Sequence, residues 1–313
     1  MKKTRILLNF AVIAMLILVL ISIINDAKTP FIKSKKIKIV TTLFPLYDFA
    51  KNIGQDKVEV MLLLPPGAQA HSFEPKPSDI ARINQADIFI YTGRFMEPWV
   101  EGIIKGISNK NLTIIDSSIG IKMIPAVFHD LDEPVGSLDP HIWLDFDNDK
   151  VITNNIVQAL TKKDRVNADN YLKNADIYHK NLSLLDEQYK KTLSNCNKRE
   201  IIYGGHYTFG YLAKRYNLKY LAAQGISPDA EPTAQDLISL VQQIKKDNIK
   251  YIFYEEIDSS KIAETLSNET QTKILPLNTA HNISKNDFER QTSFLSIMKQ
   301  NLENLKIGLE CSE

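Results

Sequence analysis

The segment Asn167–Ser194 reads NADNYLKNADIYHKNLSLLDEQYKKTLS, and its pattern decides how the chain is organised. Apolar residues recur in it at alternating steps of four and three, the spacing of one face of an α-helix: Tyr171, Ala175, Tyr178, Leu182, Leu185 and Tyr189. Gly and Pro are absent from residue 146 to residue 197, so nothing there interrupts a helix. A helix over Asn167–Ser194 would reach roughly 40 Å, the length of a whole domain. We predict one long, rigid helix here.

On both sides of this helix, short runs rich in Ile, Val and Tyr alternate with helical patterns. The predicted strands are Ile37–Thr41, Val58–Leu63, Asp87–Tyr91 and Leu112–Ile115 before it, and Glu200–Tyr203, Lys219–Ala222, Lys250–Tyr254 and Lys273–Leu277 after it. Such alternation is typical of parallel sheets flanked by helices. We therefore predict an α/β fold with two parallel-sheet lobes, at residues 36–150 and 199–313, joined by interlobe helices at residues 151–198. The last helix is predicted over Lys285–Leu309. A single domain with the long helix in its core is the alternative.

The composition excludes one class of partner. Hydrophobic residues make up 44% of the chain and charged residues 24%, the values of an ordinary globular protein. With 38 basic and 37 acidic side chains, no excess of positive charge favours nucleic acid as a partner.

The N-terminus has the pattern of an export signal. Lys2, Lys3 and Arg5 precede an apolar run at Ile6–Ile24, and polar residues follow it. The run is also long enough to span a bilayer, so residues 1–27 are predicted to be a cleaved signal or an uncleaved anchor. Either way we expect the body on the extracytoplasmic side of the plasma membrane. Cys196 and Cys311 could form a disulfide there, or remain two thiols.

Four of the six histidines lie where parallel α/β sheets bind ligands. His71, His206 and His281 each follow a predicted strand, and open α/β sheets bind ligands beyond the carboxyl ends of their strands. His141 lies at the turn before the interlobe helices. A single histidine at a loop is usually a cap or a surface residue, but two in each lobe can meet in a cleft between lobes. Neutral imidazoles in a tetrahedral set are preferred ligands of zinc, so we predict one zinc ion per chain.

The sequence also indicates which residues could orient these four histidines, and which two histidines lie outside the set. A histidine that binds a metal usually has its other ring nitrogen held by a carboxylate or carbonyl, and Glu74, Asp139 and Asp145 are close enough in sequence. His129 lies in an acidic loop and His179 in the long helix. Neither is expected to bind the ion.

At these segments the chain resembles a known family, the metal-binding solute receptors of ATP-binding-cassette importers for zinc and manganese. The motifs that carry the resemblance are Pro66–Pro75, which ends in His71-Ser72-Phe73-Glu74-Pro75; Asp139-Pro140-His141-Ile142-Trp143-Leu144-Asp145; and His206-Tyr207-Thr208-Phe209-Gly210-Tyr211-Leu212. The resemblance implies a metal site in the interlobe cleft with His71, His141 and His206 as ligands. The family's fourth ligand is usually acidic, and His281 stands at that position here; a water, or a carboxylate such as Glu255 or Glu256, is the alternative fourth donor. A membrane permease would then be the partner of a monomeric receptor.

The resemblance leaves several alternatives. Manganese receptors of the family have carboxylates among their ligands, so an all-nitrogen set favours zinc. A zinc hydrolase would need an open metal position and a base such as Glu255 or Glu256, and its usual His-Glu-x-x-His motif is absent. We therefore expect no enzyme. A surface-displayed adhesin is compatible with metal binding and an anchor, but no residue pattern favours it.

Overall fold

The computed structural model describes residues 36–126, 136–226, 228, 231–256 and 260–312. The predicted signal or anchor at residues 1–27 and the acidic loop around His129 lie outside the described residues. Within the described part of the chain, no helix combines the length and the apolar character needed to span a membrane.

The first lobe is a four-stranded parallel sheet with helices between its strands. Its elements are β1 (Ile37–Thr41), α1 (Phe44–Gly54), β2 (Val58–Leu62), α2 (Pro77–Gln85), β3 (Ile88–Tyr91), α3 (Val100–Gly106) and β4 (Thr113–Asp116). The strand order is β2-β1-β3-β4, and all pairs are parallel. Pro45 and Pro77 lie in the first turns of α1 and α2, where the missing N–H of proline costs no helical hydrogen bond. The order reverses between β1 and β3, so a ligand crevice is expected at their carboxyl ends.

Two consecutive helices connect the lobes. They are α4 (Phe146–Lys163) and α5 (Ala168–Ser194), the second with 27 residues. Every residue of the predicted apolar stripe on α5 is buried, from Tyr171 to Tyr189. The long helix packs against α1 of the first lobe and against the last helix of the second. The prediction of one long helix between the lobes is confirmed.

The second lobe repeats the arrangement of the first. Its elements are β5 (Glu200–Tyr203), α6 (Gly210–Arg215), β6 (Lys219–Ala222), α7 (Ala234–Lys246), β7 (Tyr251–Tyr254), α8 (Lys261–Thr270), β8 (Lys273–Pro276), α9 (Lys285–Glu289) and α10 (Phe294–Gly308). The sheet order is β6-β5-β7-β8, again parallel throughout, with its reversal between β5 and β7. The predicted fold class, two parallel-sheet α/β lobes, is confirmed.

The predicted helix over Lys285–Leu309 is wrong, because the chain breaks between α9 and α10. Gln291 has a φ of 57°, which a right-handed helix does not tolerate. Ser293 then starts a new helix, since its hydroxyl accepts a hydrogen bond from the backbone N–H of Ser296. Thr292 and Ser293 were the sequence signal for this second start.

One hydrophobic core runs through both lobes. It contains Ile39 and Phe49 of the first lobe, Tyr178 of the long helix, and Tyr203 and Phe253 of the second lobe. Cys196, just after α5, forms a disulfide with Cys311 near the end of the chain, so the pairing that the sequence left open is present. The shared core fixes the carboxyl ends of the two sheets relative to each other.

Candidate metal centre

Three histidines converge between the lobes. Among the described residues, His71, His141 and His206 form a group whose ligand nitrogens all lie within 4.8 Å of one another. Their ring centroids are 5.1 to 5.4 Å apart. His141 and His206 are fully buried, whereas His71 is partly exposed. Three predicted ligands from different segments therefore meet at one point.

The tautomer of His141 is fixed by Asp139. The Nδ1 atom of His141 lies 2.8 Å from Asp139 Oδ1, which also accepts the backbone N–H of His141 at 2.9 Å. Because Oδ1 already accepts the backbone N–H, it is the acceptor for the ring as well, so Nδ1 carries the proton and Nε2 carries the lone pair. This is the carboxylate–histidine arrangement that orients metal ligands, and Asp139 is the orienting group predicted from the sequence.

The Nε2 atom of His141 faces the Nε2 atom of His71 at 3.2 Å. Two nitrogens bound to one tetrahedral zinc, each at about 2.0–2.1 Å from the ion, are separated by about 3.3–3.4 Å. The separation therefore matches that of two imidazoles sharing an ion.

Both histidines are held neutral. Burial lowers the pKa of His71 and of His141 well below the usual value, and the neighbouring imidazoles lower each of them further. A metal binds the neutral imidazole, so neither ring has to lose a proton near neutral pH.

His281 lies beside this group but outside it. It is fully buried, and its ring centroid is 6.0 Å from that of His206. Its Nδ1 lies 2.6 Å from the Thr279 hydroxyl and 3.4 Å from Glu255 Oε1. The ring nitrogen that remains for a metal is therefore Nε2.

Glu255 is the carboxylate of the second lobe's half of the site. It follows β7 directly and is buried, with Oε2 3.3 Å from His206 Nδ1. Burial alone would raise the pKa of the Glu255 carboxyl, but His281 and His206 outweigh it and lower the pKa to about 2. The sequence offered Glu255 as a metal donor or a base. Its contacts are with the Nδ1 atoms instead.

The loops that carry the histidines are tied to one another across the lobes. The indole N–H of Trp143 donates to the carbonyl of Thr279 at 2.8 Å. The side-chain amide of Asn282 donates to the carbonyls of Pro65 and Ala68, and the N–H of Gly67 donates to the carbonyl of Ile283. The His281 loop is thus bonded both to the His141 motif and to the His71 loop.

Two of the three predicted orienting groups have other roles. Asp145 caps α4 through the N–H of Asp147 and pairs with Arg215 at 2.9 Å, while Glu74 is exposed. His179 is half-buried and lies 2.7 Å from the Thr153 hydroxyl through its Nε2, so it belongs to the packing of α4 on α5.

Thr279 is the residue that sequence reasoning missed. It lies two positions before His281, as Asp139 lies two positions before His141. In both cases the side chain two residues upstream contacts Nδ1 of the histidine. A polar residue at this spacing was the available signal.

Comparisons with known proteins place the chain among zinc-uptake proteins. A family model described as zinc-uptake complex component A, periplasmic, matches residues 39–308. The high-affinity zinc uptake system protein ZnuA of Bacillus subtilis is 37% identical over 284 residues, which cover 88% of this chain and 89% of that protein. The zinc-binding protein AdcA of Streptococcus pyogenes is 32% identical over 288 residues, and the match spans only 56% of that longer protein.

A solved structure has the same fold. The Zn(II)-bound ZnuA-like domain of Streptococcus pneumoniae AdcA matches with a TM-score of 0.76 and 33% identity, covering 88% of this chain and 100% of that domain. Since the family model matches far more than half of the chain, the chain belongs to the family of zinc-uptake complex component A. The resemblance seen in the motifs is confirmed.

Proposed function

We propose that this member of the zinc-uptake family is an extracytoplasmic receptor that captures one zinc ion and delivers it to the permease of an ATP-binding-cassette importer. The observation that carries the proposal is the convergence of His71, His141 and His206 from both lobes, with ligand nitrogens within 4.8 Å of one another. A neutral all-nitrogen set suits zinc better than manganese, which favours oxygen donors.

His281 is proposed as the fourth ligand. Its Nδ1 is engaged by Thr279, and its ring lies next to that of His206, so a small movement toward the ion would complete a tetrahedral set. A closed set of four protein ligands suits capture and transport, since a catalytic zinc keeps one position for water.

The contacts of Glu255 argue against a hydrolase. A general base has to reach the water on the ion, whereas both oxygens of Glu255 face Nδ1 atoms, across the imidazole rings from Nε2. Glu256 is exposed and accepts from Asn278, so it is not directed at the histidines either. The proposed function is binding and transfer without a chemical step.

The receptor is also proposed to act as a monomer. Residues 6–24 are proposed as its tether or signal, because an apolar run with a basic flank fits either role.

Metal analysis tests the proposal. The purified protein, exposed to equal zinc and manganese and then desalted, should retain about one zinc per chain, as a single tetrahedral site requires. The control is the same protein stripped with a chelator and not exposed to metal again, which should contain none. Manganese retained in preference to zinc would overturn the assignment.

A further inference from the structure

Glu255 stands between two imidazoles of the site. It lies at the carboxyl end of β7, where the sheet order reverses, and only 3% of its side chain is exposed. Its Oε2 is 3.3 Å from His206 Nδ1, and its Oε1 is 3.4 Å from His281 Nδ1. One carboxylate therefore faces the same ring atom of both histidines of the second lobe.

The Thr279 hydroxyl links Glu255 to His281 through two hydrogen bonds. It lies 2.7 Å from Glu255 Oε1 and 2.6 Å from His281 Nδ1. A hydroxyl has one proton to donate, and an ionised carboxylate can only accept. Thr279 therefore donates to Glu255, and its oxygen accepts the Nδ1–H of His281.

His206 has no hydrogen bond to Glu255, but its Nδ1 lies 3.3 Å from Glu255 Oε2, at ion-pair distance. The negative charge of the buried carboxylate beside Nδ1 favours the proton on that nitrogen. A neutral imidazole protonated at Nδ1 has its lone pair on Nε2, the atom that binds a metal. Both rings are thus in the tautomer that a metal requires.

We propose that Glu255 is a positioning residue that fixes the tautomers of His206 and His281 together, directly for the first and through Thr279 for the second. The inference rests on the metal-binding function proposed above. It assigns one shared carboxylate to two ligands, whereas Asp139 serves His141 alone. The paired arrangement makes the second lobe's half of the site a single unit.

We expect that glutamine cannot replace this glutamate. A carboxylate offers two acceptor oxygens, but a carboxamide offers one oxygen and one NH₂ donor. In Glu255→Gln, the NH₂ group would point toward one of the two histidines, directly at His206 or through Thr279 at His281. That histidine would then have to present a lone pair at Nδ1. It would carry its proton on Nε2, where it blocks the metal.

The test reads the tautomers in the metal-free protein. In wild type, ¹⁵N correlation spectra of the imidazoles at pH 8 should show Nδ1–H tautomers for both His206 and His281. In Glu255→Gln, one of the two should change to Nε2–H, and zinc should bind about 10–100-fold more weakly, as for other partners of metal-ligating histidines. Glu256→Gln is the matched control, since this neighbouring glutamate is exposed, and it should change neither quantity.

A second variant keeps the proposal testable if Glu255→Gln does not fold. Thr279→Val removes the hydroxyl and keeps the shape of the side chain, so His281 Nδ1 keeps only its 3.4 Å contact with Glu255. The Nε2–H fraction of His281 should rise above that of wild type, while the tautomer of His206 stays. Unchanged tautomers in Glu255→Gln, an equal loss of zinc affinity in Glu256→Gln, or a change at His206 in Thr279→Val would each overturn the inference. Wild-type protein with the expected tautomers but no zinc binding would instead overturn the proposed function.

Discussion

Each lobe buries a glutamate where its sheet order reverses, and the two glutamates have opposite properties. Glu97 accepts from the Thr42 hydroxyl at 2.5 Å and from the backbone N–H groups of Thr92 and Gly93. Burial raises the pKa of Glu97 to about 7, although these hydrogen bonds lower it in part. Glu255 occupies the corresponding place in the second lobe but faces two imidazoles, and its pKa is lowered to about 2.

The two lobes have the same sheet topology but use the crevice at the reversal of strand order differently. In the first lobe the crevice between β1 and β3 is closed by a hydrogen-bonded turn, and the histidines lie on the loops outside it. In the second lobe the crevice between β5 and β7 is part of the site, because His206 follows β5 after two glycines and Glu255 follows β7 directly. A Cβ on Gly204 would lie 2.6 Å from that of Ala263, so glycine is needed for α8 to approach this crevice.

The largest expected effect on zinc affinity comes from removing a proposed ligand of either lobe. His141→Ala and His206→Ala should each weaken zinc binding by more than the roughly 10–100-fold typical of an orienting residue, because a coordinate bond is lost. Competition with a fluorescent chelator measures this. His179→Ala, in the contact between α4 and α5, should bind zinc like wild type. If only one of the two ligand variants were impaired, the ion would be held by one lobe alone.

A smaller effect is expected from Asp139→Asn. The amide oxygen of asparagine can still accept from both N–H groups of His141, so the tautomer is kept, unlike in Glu255→Gln. Burial raises the pKa of Asp139 to about 8, so the carboxyl is only partly charged near neutral pH before metal binds. We expect zinc affinity to fall by about tenfold, at the low end for such partners. A loss as large as that in His141→Ala would mean that the charge of Asp139, and not its geometry, is essential.

The smallest effect on metal is expected from Glu97→Gln, which should bind zinc like wild type and differ only in stability. The folded-state pKa of about 7 lies above that of the unfolded chain, so the folded protein holds a proton that the unfolded chain releases. This contribution to stability is present below about pH 4.3 and is lost as the pH rises toward 7, by up to about 1.4 kcal/mol per pH unit.

Urea unfolding of the metal-free protein at pH 5 and at pH 7.5 measures that slope. The wild-type free energy of unfolding should fall more between these values than that of Glu97→Gln. Equal slopes would show that Glu97 does not titrate in this range.

The sequence predicted the parts of the molecule that depend on local pattern. The stripe on α5 and the eight strands follow from periodicity, and the four histidines follow from their places after strands and from family motifs. The pairing of Glu255 with two histidines could not be predicted, because it joins residues 206, 255 and 281 through the packing of β5, β7 and β8. The break at Gln291 was missed because no Gly or Pro marks it.

The central claim is that one ion is held between the lobes by imidazole nitrogens from both of them. A zinc-bound crystal structure with anomalous data at the zinc edge tests it most directly. We predict one strong peak about 2.0–2.1 Å from Nε2 of His71, His141, His206 and His281, with Glu255 on the Nδ1 side of the last two. A peak bound by the histidines of one lobe only, or an ion held directly by Glu255, would contradict the account.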